Sequence, residues 1–190
     1  LNPQNIILGP NHRFGAGGSG TADTFHQLGY QPTIIPEVTN VSSTLIRSYM
    51  HKGQLFLANQ ALGYPYPIHG NVVKGHGVGR NLGFPTANIE PSCPDKLLPK
   101  DGVYSCRVYI PDSKISYYGA MSVGTNPTIS KQNQDKTVEV YVLDFTGDLY
   151  GQELRLEVLN FLRFQEAYEN LEDLIKAIRE DVDKVKQLHL

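Results

Sequence analysis

The chain has 190 residues and a mass of 21.1 kDa, enough for one full domain or one domain with part of another. With 40% hydrophobic and 19% charged residues, it has an ordinary globular composition and needs no disulfide or metal staple to bury a core. A net charge of −2 and a pI near 6.3 exclude proteins that grip nucleic acid or an anionic membrane through a basic footprint. No apolar run approaches the roughly 20 residues that span a bilayer, and residues 1–5 carry neither region of a signal peptide. Two cysteines, Cys93 and Cys106, are too few for a disulfide framework and lack metal-ligand spacing. A reduced, cytoplasmic protein is expected. The chain opens on Leu1 rather than Met, and it is expected to begin partway through a longer protein.

In chain order, residues 5–9 (Asn-Ile-Ile-Leu-Gly) read as a short buried strand, and the Gly-rich stretch 15–20 is too flexible for helix or strand. A helical turn or two follows around 23–28, then a second strand at 32–36. Ser42 or Ser43 caps a helix running to about His51, and residues 54–62 form another. Strand and helix alternate, an α/β pattern, yet this segment holds too few strands to close a doubly wound sheet and looks incomplete. At residues 63–67, Gly-Tyr-Pro-Tyr-Pro interrupts any regular element, because two closely spaced prolines remove backbone donors. A domain boundary is expected there, dividing the chain into 1–64 and 65–190.

Beyond the boundary the period changes. Residues 68–73, 102–110, 115–123, 138–145 and 154–161 are rich in Val, Ile and Tyr and are separated by Gly, Pro, Asn and Asp. Consecutive strands with short connections predict an antiparallel barrel or sandwich. The chain closes on a helix capped by Asn170, with Leu171, Leu174, Ile175, Ile178, Val182, Val185 and Leu188 on one stripe.

The densest chemical signal lies at 75–88, Gly-His-Gly-Val-Gly-Arg-Asn-Leu-Gly-Phe-Pro-Thr-Ala-Asn. Gly75, Gly77, Gly79 and Gly83 leave a backbone that phosphate could approach closely. It is not a Walker A loop, since no Gly-Lys-Ser/Thr follows, and Phe84-Pro85 prevents a Rossmann helix. By themselves the glycines fit a surface loop between barrel strands equally well. Thr86 and Asn88 place a hydroxyl and an amide oxygen two residues apart, on one side of an extended backbone. Mg2+ prefers oxygen ligands and shares substrate phosphates, so two neutral ligands can suffice.

This block, with its Gly-Phe-Pro-Thr-Ala-Asn core, resembles the signature of riboflavin kinases. Further blocks follow in the family's order: Leu98-Pro99 before Gly102-Val103-Tyr104, then Gly124-Thr125-Asn126-Pro127-Thr128. After them come 139–145 (Glu-Val-Tyr-Val-Leu-Asp-Phe), 147–151 (Gly-Asp-Leu-Tyr-Gly) and Phe161-Leu162-Arg163. The resemblance covers 65–190. It implies a six-stranded antiparallel barrel with a C-terminal helix that uses MgATP to phosphorylate the 5′-hydroxyl of riboflavin, giving FMN. It also implies ATP contacts from Gly75, Gly77, Gly79, Arg80, Gly83, Pro85, Thr86 and Asn88, with Thr86 and Asn88 holding Mg2+. Glu139 would be the catalytic base, and Tyr104, Asn126, Thr128 and Arg163 would border the flavin.

The residues lend Glu139 independent support. In its strand Val138, Val140 and Val142 share one face, while Glu139, Tyr141 and Leu143 share the other. A carboxylate in such apolar surroundings is costly unless it meets a partner, and it is suited to accept a proton from an alcohol. It is expected within a small β-enclosure beside Thr86; an edge-strand Glu facing solvent is the alternative.

The first 62 residues resemble the second half of the FMN adenylyltransferase domain that precedes the kinase in bacterial bifunctional FAD synthetases. The matching pieces are residues 9–15, with Asn11 and Phe14, and residues 41–47, with Ser42, Ser43, Thr44 and Arg47. Hydroxyls and free N–H groups at a helix start, with an arginine one turn in, suit ATP phosphates; a Ser cap beside a solvated Arg is the alternative. The family's His-x-Gly-His occurs nowhere in this chain, so FAD formation is not expected of it. Within the kinase part His76, Ser122, Tyr141 and Gln165 depart from the common residues, while His26 and His189 read as exposed histidines without a role. A non-catalytic flavin- or nucleotide-binding regulatory module is the competing reading; the intact set Thr86, Asn88 and Glu139 argues against it.

Overall fold

Alternation of apolar and polar residues builds the larger part of the molecule. In the strand Lys136–Val142, Val138, Val140 and Val142 are buried while Glu139 and Tyr141 are half-buried, the pattern of a sheet with one face turned to a core. A computed structural model of the chain describes residues 3–36, 40–75, 79, 83–125, 136–168 and 170–190. Its packing divides into two units, Leu1–Val41 and Ser42–Leu190.

In the first unit, strands β1 (Ile7–Leu8) and β2 (Thr33–Ile34) pair in parallel, with helix α1 (Ala22–Gln27) between them in the chain. The Gly-rich stretch is not wholly irregular: Ala16–Gly18 forms a tight 3-10 turn, closed by a bridge between Phe14 and Gly20. The first strand, expected to be buried, is only half so: Leu8 is buried, but Ile7 is 62% exposed and Ile34 and Ile35 are exposed with it. Two strands cannot cover their own faces.

The second unit opens with helices α2 (Ser43–His51) and α3 (Leu55–Leu62). Ser42 caps α2, its Oγ accepting the Leu45 N–H at 3.1 Å. Met50, Leu55 and Ala58 join the barrel's own core, and the Asn59 side chain donates to Val158 O and accepts from Tyr66 N, both at 2.9 Å. The packing division therefore falls at 41/42 rather than at the expected 64/65. Gly63, left-handed at φ +79, turns the chain without detaching the helix before it.

Strands β3 (Tyr66–Val73), β4 (Thr86–Pro91), β5 (Gly102–Tyr109), β6 (Tyr117–Thr125), β7 (Lys136–Val142) and β8 (Glu153–Arg163) close into a barrel in the order β3-β4-β7-β6-β5-β8, and every pairing is antiparallel. The interior is filled by fully buried side chains such as Ile68, Met121, Val140, Leu154, Leu156 and Val158. The strand at 138–145 stops at Val142, before a turn in which Asp144 takes a positive φ. β4 is the sixth strand that hydrophobic patterning missed.

Helix α4 (Leu171–His189) is capped by Asn170, whose Oδ1 accepts the Asp173 N–H at 2.9 Å. Val182 and Val185 bury against Leu143, Tyr118 and Ala120, whereas Leu171 and Leu188, placed on the same stripe by their spacing, are exposed. His189 is not an idle surface group. Its ring stacks on Tyr118 with centroids 4.7 Å apart, and its Nε2 lies 3.0 Å from the Oγ of buried Ser105. Among the described residues no helix is long and apolar enough to cross a membrane.

Candidate active site

β4, β7 and β6 run side by side, and their register lines up the residues that point away from the barrel interior. Asn88, Glu139 and Ser122 form one row across the three strands; Thr86, Tyr141 and Ala120 form the next. Between the rows Ala87, Val140 and Met121 point inward and are buried. Thr86 and Glu139 meet diagonally, the Thr86 hydroxyl donating to Glu139 Oε2 at 3.3 Å. That is long for an O–H···O bond.

The parity that brings these groups together also corrects one expectation. Glu139 does not sit inside the barrel, whose interior is apolar; it lies on the outer wall. There a cleft of about 340 Å3 opens between this wall and α4. Leu174 and Ile178 of α4 face Glu139 across it, while Gln165 and Tyr168, from the segment joining β8 to α4, line its side. Thr86 also borders a second hollow, of about 70 Å3, walled by Pro85, Phe145, Leu149 and Tyr150.

Asn88 is held by the close passage of another strand end. A Cβ at Gly75 would overlap the Asn88 carboxamide, so glycine is the residue that lets the amide lie there. Gly79 lies near Thr86 and its carbonyl accepts the Phe84 N–H at 2.8 Å; Gly83 is exposed and left-handed at φ +82. Among the described residues no group of three His, Cys, Asp or Glu could cage a metal. The donors present are a hydroxyl and an amide on one face, which suit Mg2+ completed by water and phosphate oxygens.

Arg163 lines the cleft but spends its guanidinium on the protein. Its Nε donates to both Asp181 oxygens at 2.9 and 3.2 Å, and its Nη2 donates to Oδ2 at 2.7 Å. Asp181 has 4% of its side chain exposed, so this fork clamps the end of β8 to α4. Tyr104 does not reach the cleft. It is fully buried inside the barrel, donates its hydroxyl to Lys100 O and packs edge-on against Phe161. Burial pushes its phenol up to about 12. Its neighbour Val103 takes the outward position and lines the cleft instead.

Gly77, Arg80, Asn126 and Thr128 lie outside the described residues. Of the residues matched to an adenylyltransferase, Ser42, Ser43, Thr44 and Arg47 are exposed at the start of α2, while Asn11 and Phe14 belong to the first unit. Helical spacing puts Leu174 and Ile178 on the apolar stripe of α4, but nothing local marks them or Asp181 as cleft residues, which they become because α4 folds back.

The matches to known proteins lie along the same stretch. A family model described as Flavokinase: Riboflavin kinase matches residues 62–189. The bifunctional riboflavin kinase/FMN adenylyltransferase of Listeria monocytogenes is 34% identical over 188 residues, covering 95% of this chain and 59% of that protein. The protein of the same name from Escherichia coli (strain K12) is 31% identical over 189 residues, with the same coverage of 95% and 59%. A crystal structure titled Macrolide-efflux Protein from Streptococcus pneumoniae superposes with a TM-score of 0.77 at 29% identity, covering 95% of this chain and 60% of that one. The chain thus spans about three-fifths of the curated relatives it matches. Since the matched region holds the whole barrel, the Thr86–Glu139 face and α4, the chain belongs to the riboflavin kinase family.

Proposed function

We propose that residues 65–190 form a kinase domain that transfers the γ-phosphoryl group of ATP to the 5′-hydroxyl of riboflavin, releasing FMN and ADP. The observation that carries this reading is the Thr86–Glu139 hydrogen bond at the boundary between two hollows. It sets a proton acceptor beside the groups suited to phosphate. The larger, partly apolar cleft takes the flavin, and the donor nucleotide lies along the glycine segment toward the smaller hollow. Glu139 accepts the proton of the attacking hydroxyl. The new O–P bond forms as the bond from the γ-phosphorus to the bridging oxygen breaks, with the negative charge leaving on ADP. Thr86 and Asn88 would hold Mg2+, which when bound neutralises charge on the phosphates. Phosphoryl transfer asks the protein for positioning and charge stabilisation rather than covalent help, which this donor set supplies.

Residues 1–64 correspond on this reading to the C-terminal part of an FMN adenylyltransferase-like α/β domain. Lacking His-x-Gly-His, the chain is assigned the kinase step alone; adenylyl transfer belongs to longer forms. The test is incubation with riboflavin, ATP and Mg2+, with chromatography of the flavins. ATP-dependent appearance of FMN supports the proposal. Riboflavin binding without FMN formation contradicts it and favours the non-catalytic module.

A further inference from the structure

Just beyond β8, Gln165 reaches across to β6. Its Nε2–H donates to Ser122 Oγ at 2.9 Å. Its carboxamide lies so close over Gly124 that a Cβ there would overlap it, and the nearest atoms to such a Cβ all belong to Gln165. Ser122 is the direct cross-strand neighbour of Glu139, and Ser122, Gln165 and Glu139 line the same cleft.

Gln165 is exposed, so core packing does not require this contact. In the unliganded fold a neutral hydrogen bond from an exposed side chain adds little to folding stability once the rotamer freedom lost in pinning it is counted, so its value lies in where it holds the segment. Its geometry is nevertheless specific. Gly124 leaves the gap, and Ser122, in the row that holds Glu139, supplies the acceptor.

We propose that Gln165 is a positioning residue for the phosphate acceptor. Its bond to Ser122, seated in the gap at Gly124, fixes the segment after β8 against β6 so that the bound flavin presents its hydroxyl to Glu139. This rests on the riboflavin kinase reading. Gln165 acts through Ser122 and the segment it anchors, so its loss weakens capture of the flavin and leaves the nucleotide side unchanged.

The test compares Gln165→Leu, Gly124→Ala and Gln165→Glu with the unaltered chain. It measures KM for riboflavin and for ATP, kcat, thermal midpoint, and riboflavin binding by quenching of flavin fluorescence. Gln165→Leu removes the donor at similar size, and Gly124→Ala pushes the carboxamide out by filling the gap. Both should raise KM and Kd for riboflavin about tenfold, the worth of one lost hydrogen bond in a partly desolvated site. KM for ATP and the thermal midpoint should hold. Gln165→Glu should restore riboflavin binding to within about threefold, because Ser122 can turn its hydroxyl to donate to the carboxylate. An unchanged riboflavin KM in both Gln165→Leu and Gly124→Ala overturns the proposal, as do equal losses for both substrates or a lowered midpoint. Unaltered protein that neither binds riboflavin nor makes FMN overturns the functional reading itself, a result distinct from normal turnover with indifferent variants.

Discussion

The Asn88 carboxamide occupies the space that any side chain at position 75 would need. Gly75→Ala should therefore displace the amide and disturb whatever it holds. We expect KM for MgATP to rise about tenfold while KM for riboflavin changes little, checked by steady-state kinetics with each substrate varied in turn. The neighbouring residues show how much depends on parity. Thr86, Asn88 and Glu139 face outward because Ala87 and Val140, one position away, are buried in the barrel. The same rule explains why Tyr104 is absent from the cleft: β5 turns Tyr104 inward and gives the outer position to Val103.

At the scale of elements, the cleft exists because α4 folds back along β6 and is clamped there by the Arg163–Asp181 fork. Removing one partner of a well-buried ion pair strands the other charge. Asp181→Asn should lower unfolding stability by about 3 kcal/mol, read from denaturant titration, and raise KM for riboflavin as the wall loosens. Helix α4 was legible beforehand because its cap and its stripe are both local features; Asn170 and Val182 behave as their spacing predicts. β4 was not legible as a strand. Thr86–Pro91 is short, interleaves Asn and Glu with its apolar residues, and carries Pro at its end, so its pairing is set by β3 and β7 rather than by its own composition. The fork itself joins residues 18 positions apart, and no local pattern marks Asp181 as its partner. The outward row was half legible: an extended backbone puts Thr86 and Asn88 on one side, but only the register shows that Glu139 and Ser122 continue it.

Across the whole barrel unit, the last turn of α4 is anchored on the side of β5 and β6 by His189. The histidine stacks on Tyr118, meets Ser105 and has Arg107 nearby. Burial, with the Arg107 guanidinium adding to it, pulls the His189 pKa below its ordinary value. A depressed histidine is held neutral in the fold, so its contribution to stability is complete above about pH 6.5, the unfolded value. That contribution declines as pH falls from there toward the folded pKa, because the unfolded chain binds the proton more readily. Thermal midpoints should thus drop on acidification below about pH 6.5, and His189→Gln should remove this part of the slope; an identical slope in the variant would contradict the anchor. Lone histidines give no such sign in sequence, since only the folded helix brings residue 189 against residues 105 and 118.

In the proposed transfer Glu139 takes the proton from the acceptor hydroxyl. Glu139→Gln keeps the shape and the hydrogen bond with Thr86 while removing the base, so the most direct measurement is its turnover of riboflavin to FMN at saturating MgATP. A base at this position predicts a fall in kcat of about 10² to 10⁴-fold with nucleotide binding retained. Near-normal turnover by this variant would contradict it.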